Sequence, residues 1–127
     1  MNLLRFVFLF LFSLSISYLP AQSYNKKLTA ELDTILAADQ RYRFLEAPIG
    51  SEQDKENMRR QDSIDYKNLQ KVEKILAAYG YPGKSQVGVK HQSTVFLVIQ
   101  HSDLETQEKY LPLLTKAANM GEIKQSS

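Results

Sequence analysis

The chain contains no cysteine, and it has only two histidines, five glycines and four prolines among 127 residues. Without cysteine there is no disulfide framework, no thiol nucleophile and no thiolate-bound metal. A histidine metal site would need His91 and His101 to converge with carboxylates, and their separation along the chain matches no helix-face ligand pair. Neither a metal nor a cofactor is therefore expected. Gly83-Lys84-Ser85 lacks the upstream glycine of a phosphate-cradling loop. No serine stands on a Gly-x-Ser-x-Gly turn, which leaves a Ser-His-Asp triad unsupported. An excess of one charge is missing too, at 16 basic against 14 acidic residues. Nucleic acid and anionic membrane are thus not the expected partners; a small molecule or a protein of unknown identity is.

Long apolar runs are also scarce, and the one at the N-terminus has a specific layout. A single basic residue, Arg5, precedes the apolar run Phe6–Phe12, and a serine-rich stretch leads to Leu19-Pro20-Ala21. This is the pattern of a secretory signal peptide over residues 1–21, with cleavage expected between Ala21 and Gln22. The uninterrupted run is too short for a spanning helix, which needs ~20 apolar residues. The expectation is an exported protein, periplasmic or secreted, with no membrane segment in its mature form. Residues 22–127 then form one small domain with a single core.

What is present reads as helix. Leu28, Leu32, Ile35 and Leu36 draw one apolar stripe in a helix expected over Tyr24–Leu45, ended by Pro48 and Gly50. Residues 51–62 are highly charged, with Met58 their one large apolar residue. They read as an exposed helical lead-in or a linker, with Ser51 a possible N-cap. Leu69, Val72, Ile75, Leu76 and Tyr79 mark a second helix, stopped by Gly80. Lys67, Lys71 and Lys74 fall on another, solvated face.

Periodicity cannot assign Thr94–Ile99. Its β-branched residues favour strand, but a lone strand would have no partner, so a buried helix fits better. Ser102 and Glu105 match a capping box for a last helix, in which Pro112 should produce a kink or a break. The expected fold class is all-α, about four helices packed around one core.

Two polar clusters carry the candidate chemistry. Asp39-Gln40-Arg41-Tyr42-Arg43 ends the first helix, and Asp39 and Arg43 are spaced to pair on one face. Gln100-His101-Ser102-Asp103 follows the most apolar stretch, so the core delivers a histidine and a carboxylate to a helix junction. A histidine oriented by a carboxylate is the usual unit of general base catalysis. Each cluster also has a plain structural reading, as a surface ion pair in the first and, in the second, a helix cap by Ser102 or Asp103 with His101 a satisfied, partly buried side chain.

These two motifs, with the Gly80–Gly88 connector between them and Leu111-Pro112-Leu113-Leu114 and Gly121-Glu122 after them, resemble the bacterial DUF6624 family, a domain of unknown function. The resemblance covers about Leu28 to Gln125. It implies a shared site of Asp39, Gln40, Arg41, Arg43, Gln100, His101 and Asp103, and no activity comes with it. Members of the family usually continue past the Gly-Glu pair, so the chain looks C-terminally truncated. Two functions follow as expectations. One is a binding or interaction module. The other is an exported enzyme, hydrolytic in type, with His101 as general base, Asp103 or Asp39 as its orienter, and Arg41 or Arg43 as anion-holding groups.

Overall fold

A computed structural model describes residues 23–124. The expected signal peptide and its cleavage point lie outside the described residues. Among them the fold is all-α, with five helices and no strand.

Helix α1 (Lys26–Gln40) starts where the Asn25 side chain accepts the Leu28 backbone N–H at 3.0 Å. Leu28, Leu32 and Ile35 are completely enclosed, as their spacing predicts. The helix stops at Gln40, short of the expected Leu45, and the stop has a tertiary cause. The Tyr42 N–H is taken by the Gln61 side chain at 3.0 Å instead of a carbonyl one turn back. Leu45 is half exposed and does not continue the buried stripe.

Helix α2 (Glu52–Tyr79) settles the charged stretch. Residues 52–62 are the first turns of one 28-residue helix, about 42 Å long, rather than a linker. Ser51 caps it by accepting the Asp54 N–H at 3.1 Å, and Glu52 and Asp54 suit the positive end of the helix dipole. This part does bury side chains, but polar ones, Asn57 and Gln61. Further on, Val72 and Ile75 are buried and Leu69 and Leu76 partly so, whereas Tyr79 is largely exposed. Gly80 ends the helix at φ 69°, a left-handed value that glycine adopts without steric cost.

The connector contains a one-turn helix, α3 (Lys84–Val87), followed by α4 (Thr94–Gln100). The β-branched run is thus helical. Thr94, Val95, Val98 and Ile99 are buried, and α4 packs against α1, α2 and α5. A helix satisfies its own backbone groups, which lets so short an apolar segment be enclosed on several sides.

Helix α5 (Leu104–Asn119) is capped by Asp103, which accepts the Thr106 N–H at 2.7 Å. Ser102, the other candidate cap and the one a capping box would use, instead donates its hydroxyl to the Ile99 carbonyl. Pro112 neither breaks nor splits the helix, which is continuous to Asn119. Only Ala117 of α5 is fully buried, and Leu104 and Leu111 face outward. No described helix is long and apolar enough to cross a membrane.

The connector glycine Gly83 has a packing reason. A Cβ at this position would fall inside the Glu122 side chain and 3.0 Å from the Glu122 carbonyl oxygen. The same Glu122 carbonyl accepts the Lys84 N–H at 2.9 Å, and its carboxylate accepts from Ser85. Gly83→Ala is therefore expected to destabilise the fold by roughly 1–3 kcal/mol, the usual range for overpacking. Urea denaturation of both forms measures it, and an unchanged midpoint would show that the C-terminal segment yields freely.

Candidate functional site

The last turn of α1 places Asp39 in phase with Leu28, Leu32 and Ile35, so a carboxylate occupies a core position. It is 1% exposed. A buried carboxylate is unfavourable unless ion pairs and hydrogen bonds replace its water. Three side chains do so here. Arg43 Nη2 lies 3.1 Å and His101 Nδ1 2.9 Å from Oδ1, while the Gln40 amide donates to Oδ2. Burial, the largest single influence, pushes the Asp39 carboxyl up. The bonds from Arg43, then His101 and Gln40, outweigh it and hold the group below the usual carboxylate range.

Helix α2 supplies the other half. Asp65 Oδ1 lies 2.6 Å from the same Arg43 Nη2. Gln61 Nε2 donates to Asp65 at 2.8 Å and to the Asp39 backbone carbonyl at 2.9 Å. One turn on, the buried Asn68 amide donates to the Ile35 carbonyl at 3.1 Å. Burial disfavours the Arg43 charge, but Asp39 and Asp65 outweigh it and raise its pKa. The guanidinium is thus a permanent cation neutralised between two carboxylates.

His101 arrives from the opposite direction, as the C-cap of α4. Because the Asp39 carboxylate can only accept, Nδ1 carries the ring proton in this contact. That leaves Nε2 unprotonated in the neutral ring. Nε2 has no protein partner among the described residues, and the side chain is 24% exposed. The arrangement is an imidazole held at one nitrogen and available at the other.

The candidate residues divide accordingly. Asp39, Gln40, Arg43 and His101 come together. Asp103 does not, because its carboxylate is the α5 cap; the Thr106 backbone N–H holds its pKa below the usual range. Gln100 is exposed, and its backbone carbonyl accepts from Gln107. Arg41 is exposed, with no side-chain partner among the described residues. Gln61 and Asp65 were not anticipated. Their signal was legible: Asn57, Gln61, Asp65 and Asn68 continue the heptad-like phase of Val72 and Ile75, which puts polar groups on the buried face of α2.

The second histidine is differently placed. His91 is buried, with Nε2 2.8 Å from Asp33 Oδ1 and Nδ1 3.3 Å from the Val87 carbonyl. Both ring nitrogens face protein acceptors, which makes His91 a tie between its loop and α1. No group of three or more potential metal ligands occurs among the described residues.

A concavity of about 510 Å³ adjoins the cluster, lined by Arg43, Gln61 and Asp65 together with Tyr42, Met58 and Asp62. It lies on the α2 side and does not reach His101. A larger one, about 900 Å³, sits near the start of α1 among Tyr24, Tyr81, Leu113, Lys116 and Met120. The start of α1 and Asp39 are about 20 Å apart along the helix.

The lowered Asp39 pKa fixes a pH dependence. A carboxyl whose folded pKa lies below its unfolded value contributes stability that is complete above the unfolded pKa. That contribution is lost as pH falls through the folded value. Wild type should lose stability on acidification below pH ~4 more steeply than Asp39→Asn, which has no such proton to take up. Urea denaturation of both across that range checks this, and parallel pH curves would refute it.

Neither the curated proteins nor the solved structures contain a match to the chain. Its order of motifs does have a counterpart: residues 26–126, essentially everything from the start of α1 onward, match DUF6624, a family of unknown function, and the chain belongs to that family.

Proposed function

We propose that Asp39 and His101 form an acid–base pair and that the protein is an exported hydrolytic enzyme. The observation that carries this reading is the His101 ring itself. A buried carboxylate binds Nδ1, while the side chain is partly exposed and Nε2 has no partner among the described residues. In this reading Nε2 takes a proton from a bound water or substrate hydroxyl. Asp39 holds the tautomer and stabilises the imidazolium that forms. Arg43 is already neutralised by Asp39 and Asp65, so Arg41 is the remaining candidate for holding a substrate anion. The substrate is a small molecule or a protein, not nucleic acid or membrane.

His101→Ala separates this from a structural role. Removing the ring leaves Asp39 with Arg43 and Gln40, so no buried charge is orphaned. The expected stability loss is below about 1 kcal/mol, whereas deletion of a structurally required buried hydrogen bond costs about 1–3 kcal/mol. Chemical denaturation measures the difference now, and a loss in the higher range would sink the acid–base reading. Against a panel of chromogenic esters, phosphodiesters and glycosides, wild-type turnover should fall on the order of 10²–10⁴-fold in the variant.

The competing reading is a non-catalytic binding module, favoured by the cavity of about 900 Å³ lined by Tyr24, Tyr81, Leu113, Lys116 and Met120. Its walls combine apolar bodies with a few polar groups, the usual make-up of a ligand pocket. In that case saturating the cavity would matter to function and His101 would not.

Export rests on the basic, apolar and small-residue order of Met1–Ala21. Mass spectrometry of protein recovered outside the cytoplasm should give a chain starting at Gln22. An intact Met1 would overturn it.

A further inference from the structure

The Arg43 guanidinium is unusually placed. Its Nη2 sits between two carboxylates, 3.1 Å from Asp39 Oδ1 and 2.6 Å from Asp65 Oδ1. Its Nε is buried and has no hydrogen-bond partner among the described residues. An arginine beside a carboxylate frequently closes a two-toothed fork. A fork onto Asp39 through Nε and Nη2 would satisfy the orphaned donor. It would bring Nε to Oδ2, which already accepts from Gln40, and draw the whole cation onto the carboxylate whose Oδ1 accepts from both Arg43 Nη2 and His101 Nδ1. Asp65 is the closer of the two partners of Nη2. It is itself braced by Gln61, whose Nε2 also holds the Asp39 backbone carbonyl and whose Oε1 holds the Tyr42 N–H. The shorter pairing to α2 instead divides the guanidinium between two carboxylates.

We propose that Asp65 is a positioning residue for His101: by sharing the Arg43 cation with Asp39, it leaves Asp39 Oδ1 a strong enough acceptor to hold the His101 Nδ1–H. Asp65 acts at a distance, through one shared nitrogen, and touches neither His101 nor anything His101 would act on. Its negative charge also matters, because without it the Arg43 cation is balanced by Asp39 alone. Asp39 then becomes a poorer acceptor for the ring. The inference rests on the acid–base reading of His101, but its test observes the ring directly and needs no substrate.

The experiment is ¹H and ¹⁵N NMR of the protein labelled at histidine, with circular dichroism to verify folding. In wild type, His101 should show a low-field Nδ1–H resonance and the ¹⁵N shift of a bare Nε2. In Asp65→Asn that resonance should be lost or move upfield, and the nitrogen shifts should move toward the Nε2–H tautomer. Asp65→Glu, which restores the charge, should recover the wild-type signature at least in part. The decisive arm is a double-mutant cycle. In an Arg43→Gln background, Asp65→Asn should change nothing further, because the intermediary is gone. An unchanged spectrum for Asp65→Asn overturns the proposal. So does an effect of equal size in the Arg43→Gln background, which would mean that Asp65 acts through helix packing. Arg43→Lys tests the same idea with Asp65 intact. An ammonium keeps a cation between the two carboxylates, so the His101 signature should survive, and its loss counts against the proposal even if Asp65→Asn does not fold. A wild-type ring found in the Nε2–H tautomer would instead refute the acid–base reading itself, and the positioning role with it.

Discussion

A carboxylate without water must be surrounded by donors, and Asp39 sets that requirement for much of this molecule. Satisfying it involves four separate stretches of chain: the end of α1, the turn that carries Arg43, the middle of α2, and the C-terminus of α4. The hydrophobic cluster of Leu28, Leu32, Ile35, Val72, Ile75, Val95, Val98 and Ile99 supplies the net drive to fold. The polar end of the same interface determines how the helices line up. A one-turn slip between α1 and α2 would still bury leucines and valines. It would separate Asp39 from Gln61 and Asp65, and Ile35 from Asn68, leaving buried polar groups unpaired at about 1–3 kcal/mol each.

The two histidines show how one chemistry can be put to different uses. Both flank α4, and both meet a carboxylate from α1, Asp33 for His91 and Asp39 for His101. The helix is thus tied to α1 at each end. His91 is enclosed, and each of its nitrogens meets a protein group. His101 meets one. The partner carboxylates are reversed in exposure: Asp33 lies at the surface, shared with Lys90, and Asp39 is buried. A buried partner around an open ring is the combination that suits proton transfer, because the carboxylate is shielded from water while the reactive nitrogen is not.

The charge balance narrows what the site can hold. Arg43 faces Asp39 and Asp65 together, so the cluster has no surplus positive charge when His101 is neutral. An imidazolium at His101 would bring the group of four to neutrality. A second anion beside Arg43 would face two carboxylates that already balance its charge.

Periodicity identified α1 and the second half of α2: the leucine stripe of α1, the apolar face at the end of α2, and the stop at Gly80 follow from 3.6-residue repeats and glycine chemistry. Membership in DUF6624 was also legible, because motif order is a property of the chain itself. The Asp39–Arg43 pair was legible too, from its four-residue spacing, but which polar residues meet across helices was not. Asp103 and Asp39 were both candidate partners of His101, and Asp103 stands only two residues away, yet a helix start claimed its carboxylate for the Thr106 N–H. Asp39, 62 positions away, meets the ring because the packing of α4 against α1 brings the two ends together. The boundary of α1 was hidden for the same reason, since a Gln61 side chain from α2 terminates it. Local sequence encodes backbone preference and the side of an element that is apolar. Where a buried polar group finds its partner depends on which helix ends the core brings into contact, and only the tertiary structure decides that.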